Sequence, residues 1–299
     1  MLPSHGRYSY HPWPERPVYS WPSGAKLAVY LGINLEHFAF GEGLGAELAP
    51  GPNGGGGPQP DVLNYAWRDY GNRVGAWRLI ELLEALRLPA TVLVNSAMYG
   101  YAPSLIAAHR ARGDEIAAHG RTNSERQSTM DEAAERAMIR AATTVITEAE
   151  GAPPRGWLSP WIAESRVTPD LLAEAGYSYT LNWCADDQPI HLATRTGPLL
   201  AVPYPQEVND MPSIVARKDS AEQFAAMIVA DFEERLLQIR DGKPQVMGIA
   251  LHPHLIGQPY RLRALRGALE HITARQGLVW LTTAGQIASH VARLPGMLP

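Results

Sequence analysis

One cysteine, Cys184, occurs in 299 residues. A disulfide within the chain is therefore excluded, and a cysteine-rich zinc site would lack ligands. Long hydrophobic runs are also missing. No stretch of about 18 apolar residues occurs, so nothing can span a bilayer as a helix. The opening Met-Leu-Pro-Ser-His-Gly-Arg has no apolar core of the kind a secretory signal needs, and a cytoplasmic protein is expected. Neither sign of charge dominates: 26 lysines and arginines face 30 acids, a formal net charge of −4. That balance gives no long-range pull toward nucleic acid or an anionic membrane, and neither is expected as a partner. No internal repeat suggests a solenoid.

What is present suits a globular chain with a substantial core: 45% hydrophobic and 19% charged residues. Residues 1–24 hold five prolines together with Tyr8, Tyr10, Trp13, Tyr19 and Trp21. They read as an extended arm whose rings need something to pack on, either the single domain expected over 25–299 or another subunit. A Gly/Pro-rich stretch at 41–64 reads as a flexible loop, either a lid or plain surface. Beyond it, helical and strand patterns alternate. Leu79, Leu82, Leu83 and Leu86 share one helical face. Pro103 and Gly113 bracket another helix. Thr129 with Glu132, and Ser220 with Gln223, have the spacing of capping boxes. Buried strands are expected at 27–33, 90–95, 115–118, 245–251 and 278–281.

Strands alternating with helices predict a mostly parallel α/β sheet, and their number favours a barrel-like βα repeat. In such folds the site forms at the C-terminal strand ends. That rule selects Asn34, Glu36, Asn95, His119, Trp157, Ser159 and His252. Glu36 can serve as a general base or metal ligand, or as a loop carboxylate paired with an arginine. His119, between a strand and Gly120, stands where backbone approaches a ligand closely, unless carbonyls simply satisfy it. His252 and His254 flank Pro253, and imidazole can protonate a leaving amine near neutral pH. Asp186 and Asp187 are either solvated loop acids or, if one is buried near a histidine, a means of orienting its ring.

The segments 73–84, 89–95 and 113–120 resemble the polysaccharide deacetylase (NodB-homology) domain. The ending 251–259, with 16–22 and Asn34–Glu36, is similar to the branch containing metal-independent allantoinases and cytoplasmic peptidoglycan-deacetylase-like proteins. The resemblance covers roughly residues 10–290. It implies a distorted (β/α) barrel with about seven repeats rather than the usual eight. Metal-dependent members hold a divalent ion with one aspartate and two histidines spaced i, i+4, and use a second aspartate as base and a late histidine as acid. Here the aspartate pair is replaced by the Asn34–Glu36 segment. His119 matches the first metal histidine, Asn123 stands at the second, and His252 matches the acid. The arginine of the third motif falls near Leu158, with Arg155 close by. Asp186 and Asp187 resemble the branch's acidic pair.

An amide oxygen is a weaker ligand than imidazole, and a tight zinc site normally has three good protein ligands. The expectation is thus no metal, or a zinc, nickel or cobalt ion held weakly by His119 and Glu36. The resemblance implies hydrolysis of a non-peptide C–N bond. Glu36 or Asp187 would act as base and His252 as acid. Asn34, Asn123, Trp157, Ser159, Trp183, Asp186 and His254 would contact the substrate. Candidate substrates are an N-acetylated amino sugar or similar acylamide, and a small cyclic amide such as allantoin. A homodimer or homotetramer is expected from the branch. The rival reading is a non-catalytic binding protein on the same scaffold.

Overall fold

The computed structural model describes residues 4–41, 61–239 and 242–294. Most of the Gly/Pro-rich stretch, residues 42–60, lies outside the described residues. Its last residues are already helical, because Asp61 caps α1 (Val62–Tyr70) by accepting from Asn64 N.

The sheet is built on β1 (Leu27–Leu35), nine residues buried on both faces, as a central parallel strand should be. From Leu27 to Ile33 β1 pairs in parallel with β8 (Gln245–Leu251). On its other side β9 (Trp280–Thr282) pairs with its first half and β2 (Thr91–Val94) with its second. From β2 the sheet continues in parallel through β3 (Glu115–Ala118), β4 (Gly156–Trp157), β5 (Tyr179–Thr180) and β7 (Leu199–Ala201). Among the described residues, β6 (Ile190–Leu192) is the one antiparallel member, paired with β7. β6 and β7 are too short and too mixed in composition to stand out in the sequence.

The expected distorted barrel is present as a curled, parallel-dominated sheet whose edge strands do not pair directly. The chain after β7 crosses the gap instead. Tyr30 Oη donates to Pro203 O at 2.7 Å, Ala250 N donates to Val208 O at 3.0 Å, and Asn209 bridges Ala250.

Two cores follow from strand alternation. Val29, Leu31, Ile33 and Leu35 face outward to α2 (Ala76–Leu86), α7 (Ala221–Gln238) and α9 (Pro259–Thr273), meeting Leu79, Leu83, Phe224, Phe232, Leu265 and Leu269. Ala28 and Tyr30 face inward, to Leu93, Ala117, Leu158, Tyr179 and Val246 from the other strands. The N-terminal end of this inner core is sealed. The start of α10 (Ala284–Val291) donates from Ala284 N to Thr91 Oγ1 and from Gly285 N to Glu115 Oε2, both at 2.8 Å. Trp21, the end of the arm, is buried there and its Nε1 donates to Gln245 O at 3.0 Å.

The rest of the arm lies on its own domain, with Arg7 bound to Asp170, Arg16 to Asp186, and Tyr8 edge-on to Trp183. Among the described residues, the C-terminal strand ends remain open. The helix pair α1–α2 is joined there by a π-type turn, Gly71–Gly75. This turn lies against α8 (Pro253–Ile256), directly after β8. Contact is so close that a Cβ on Gly75 would sit 2.1 Å from Pro253 O. Of the two capping boxes, that of Ser220 and Gln223 forms, whereas α5 (Glu132–Glu150) is capped by Asp131. Among the described residues no helix is long and apolar enough to cross a membrane.

Candidate active site

Inward-facing positions continue past the strand ends with the same period of two. On β1 the series 28, 30 leads to Asn34 and Glu36; on β2, Leu93 leads to Asn95; on β3, Ala117 leads to His119; on β8, Val246 and Ala250 lead to His252. Glu36, His119 and His252 therefore converge. Glu36 Oε1 lies 3.6 Å from His119 Nε2 and 3.6 Å from His252 Nε2. Both distances exceed a direct hydrogen bond and leave room for a bridging atom off the line between them.

Each side chain is held from behind. Asp210, fully buried, accepts from His252 Nδ1 at 2.6 Å and from His252 N at 2.8 Å. His119 Nδ1 lies 2.7 Å from Leu158 O, which makes that nitrogen the donor and leaves Nε2 facing Glu36 with no hydrogen-bond partner. Asn123 donates from Nδ2 to Glu36 Oε1 at 2.6 Å and accepts on Oδ1 from Asn95 Nδ2 at 3.0 Å. Trp161 Nε1 fixes the Asn123 backbone carbonyl at 2.8 Å. Trp161 and Ile162 both have left-handed backbone, at φ 63° and 55°. Such strain persists only where surroundings enforce it, and here it turns both side chains toward the site. Asn34 Nδ2 donates to Tyr204 Oη at 3.0 Å and to Leu251 O at 3.2 Å. Asn34, Glu36, His119, Asn123, Trp161 and His252, with Leu158, Met211 and Val215, line a cavity of about 300 Å³.

Burial works to raise the Glu36 carboxyl, but the His252 and His119 imidazoles outweigh it and hold it down at about 2. Burial works to lower His252, and the Asp210 and Glu36 carboxylates reverse that, so its pKa is raised. Burial raises Asp210 while His252 draws it back. The arrangement favoured is an imidazolium between two carboxylates, because both acids face the ring within 3.6 Å. Burial pushes His254 well below its usual range, so it is neutral.

Several expected site residues lie elsewhere. Asp187 gives its backbone oxygen to Val246 N near the start of β8 and its carboxylate to Arg235 at 2.8 Å. Six residues of strand separate Val246 from His252, roughly 20 Å. Asp187 is therefore at the wrong end for a base, and Asp186, paired with Arg16, is next to it. Trp157 and Ser159 have outward parity. Trp157 packs among Met138, Ile146, Leu172 and Tyr177, and Ser159 Oγ accepts from Trp157 Nε1 and Asn182 Nδ2. Leu158 between them lines the cavity instead. Trp183 stacks with His5 and Tyr8 of the arm. His254 is buried edge-on against Trp67 of α1. Arg155 reaches Ser289, outside the site. Asp210, Tyr204, Trp161 and Arg68 escaped the sequence reading.

A family model for polysaccharide deacetylases matches residues 64–180, a span that contains most of α1, His119 and β4. Over that span the chain is similar to the polysaccharide deacetylase domain. A Schizosaccharomyces pombe protein assigned to the polysaccharide deacetylases is 29% identical over 299 residues, covering 90% of this chain and 91% of the relative. The structure of PuuE allantoinase superposes with a TM-score of 0.84 at 28% identity, over 94% of this chain and 95% of that one. A Pseudomonas aeruginosa PAO1 protein assigned to the same family gives a TM-score of 0.82 at 28% identity, over 94% and 96%.

The donors at this site do not fit the divalent ion that metal-dependent polysaccharide deacetylases hold. Asn123 has its oxygen engaged by Asn95 and its nitrogen by Glu36. His252 in its imidazolium form has no free lone pair. Glu36 and His119 remain, one donor short of a tight site. Among the described residues, no group of three or more His, Cys, Asp or Glu could hold a metal ion.

Proposed function

We propose that the domain hydrolyses a C–N bond of a small non-peptide amide, with Glu36 as base and His252 as acid. The observation that carries this reading is the meeting of one carboxylate with two imidazoles, one of them backed by a buried aspartate, at an open cavity. A water bonded to Glu36 Oε1 and His119 Nε2 attacks the amide carbon, and Glu36 takes its proton. The C–N bond then breaks, and His252 Nε2 gives its proton to the departing nitrogen. The products are a carboxylic acid and an amine, or one molecule bearing both if the amide was cyclic. Asp210 keeps the Nε2 proton in place by fixing Nδ1–H. Glu36 at about 2 is a weak base in the free protein. Its strength rises once His252 has given up its positive charge, so the two proton transfers support each other.

A cavity of about 300 Å³ is at the small end for ligand sites. It supports a small acylamide or cyclic amide, the class to which the substrate of the allantoinase neighbour belongs. The test is hydrolysis of a panel of N-acetylated amino sugars, simple acylamides and cyclic amides including allantoin. His252→Gln and Glu36→Gln should each lower kcat/KM by about 100- to 10,000-fold, the usual worth of a general acid or base. No turnover of any amide by the folded parent, or a His252→Gln variant as active as the parent, would refute the reading.

A further inference from the structure

Arg68, on α1, is only 5% exposed, yet its Nη1 has no hydrogen-bond partner. Its Nε donates to Asn64 Oδ1 at 3.3 Å, and its guanidinium lies 4.2 Å from the Phe38 ring centre and 5.6 Å from that of Trp161. Two rings thus hold the plane of the group, which is how an arginine is pre-organised to offer its edge. Phe38 is two residues beyond Glu36, and Trp161 lines the cavity. The guanidinium feels the charge of Glu36, and His252 and His254 feel that of Arg68. No ion pair joins Arg68 to Glu36. A structural arginine at this depth would use all its donors, because a buried N–H left unpaired costs free energy.

We propose that Arg68 binds a second carbonyl oxygen of the substrate, one that is not part of the scissile amide, and so selects substrates that carry it. The proposal rests on the amide-hydrolase reading of the same site. Charge argues that this oxygen is neutral, as in a ureido or imide group. Glu36 and Asp210 already balance His252 and Arg68, and a carboxylate would leave one buried negative charge uncompensated. The α1 position matters too. Gly71 and Gly75 press the following turn onto α8, which begins beside His252. Arg68 is thereby held in fixed relation to the acid.

The experiment compares matched probes: hydantoin, which has a second carbonyl in its ring, and 2-pyrrolidinone, which has none. Both are assayed with the parent, Arg68→Lys and Arg68→Met. In Arg68→Met, KM for hydantoin should rise about 10- to 100-fold, with KM for 2-pyrrolidinone changing less than about threefold. Arg68→Lys should fall between, since it keeps the charge and loses the fork. Equal losses for both probes, or a loss confined to kcat, would overturn the proposal by giving Arg68 a general role. Tighter inhibition of the parent by a carboxylate-bearing analogue than by hydantoin would overturn the charge argument. Binding of each probe by calorimetry covers a variant that folds but turns over slowly, and near-ultraviolet circular dichroism identifies one that does not fold. If the parent hydrolyses neither probe nor any other amide, the hydrolase reading falls. If it does and the variants show no discrimination, only the Arg68 proposal falls.

Discussion

Replacing Asp210 by asparagine removes a charge and almost no volume. Asp210 is fully buried, and its two oxygens serve one residue, taking His252 Nδ1–H at 2.6 Å and His252 N at 2.8 Å. Asparagine keeps one acceptor but turns an NH2 group toward the other donor. Removing a partner from a buried charge pair costs about 3–5 kcal/mol. Asparagine retains part of the bonding, so the expected loss of stability is nearer a charged hydrogen bond, about 1.5–3 kcal/mol. That loss depends on pH in a definite direction. The folded-state pKa of His252 is raised above 6.5. Its stabilisation is therefore fully present below 6.5 and is lost as pH rises through the folded value. Urea melts of parent and Asp210→Asn should differ most at pH 6 and converge by pH 9. Activity should follow the same proton. Without Asp210 the imidazolium keeps only Glu36 against the burial that lowers its pKa, so its pKa should fall. The alkaline limb of kcat/KM should move to lower pH, and kcat/KM at pH 7 should drop about 10- to 100-fold. An alkaline limb that stays in place, with stability loss equal at pH 6 and pH 9, would show that Asp210 is merely structural and that His252 is not the acid.

Three further outcomes can be checked. Because the Asn123 oxygen is a weak donor already bonded to Asn95 Nδ2, dialysis against EDTA should leave amide hydrolysis within about twofold, and Asn123→His should bind zinc at least about tenfold more tightly in calorimetric titration; activity lost on chelation and restored by zinc would refute this. Gly75→Ala should cost about 1–3 kcal/mol in urea melts, since its Cβ would meet Pro253 O at 2.1 Å; a melt like the parent's would mean that the π-type turn yields freely. Tyr10 is 89% exposed and Val18 63%, so a subunit contact through the arm should weaken in the double variant Tyr10→Ser, Val18→Ser, which light scattering should record as a smaller particle; an unchanged mass removes these side chains from any interface.

The parallel sheet was legible because β1, β2, β3 and β8 are apolar runs that end on a polar residue, and the helices between them carry their own start and stop signals. The short strands were not. β6 pairs with β7, and β7 joins the sheet through β5; such context overrides propensity. The same context hid the closure of the sheet, since residues 203–209 cross from β7 to β8 without a strand pattern.

Within the site, the residues that fall together differ from those that do not by parity. Asn34, Glu36, Asn95, His119 and His252 all stand an even number of residues from an inward-facing apolar side chain on their strand, and Trp157 and Ser159 stand one step off. Strand-end position alone cannot separate these two groups; alternation can, once one inward residue per strand is known. The acid that orients His252 shows a different limit. The doublet Asp186–Asp187 offered such an acid only on the condition that one of the pair be buried near a histidine. Those carboxylates are taken by Arg16 and Arg235 at the other end of the barrel. Asp210 does the work from a segment with no periodicity, placed by the backbone bridge of Asn209 to Ala250, two residues before His252. A bridge of that kind is a contact between distant parts of the chain, set by how the sheet closes. No local pattern around Asp210 records it, whereas the need for an acid beside His252 follows from the chemistry of imidazole alone.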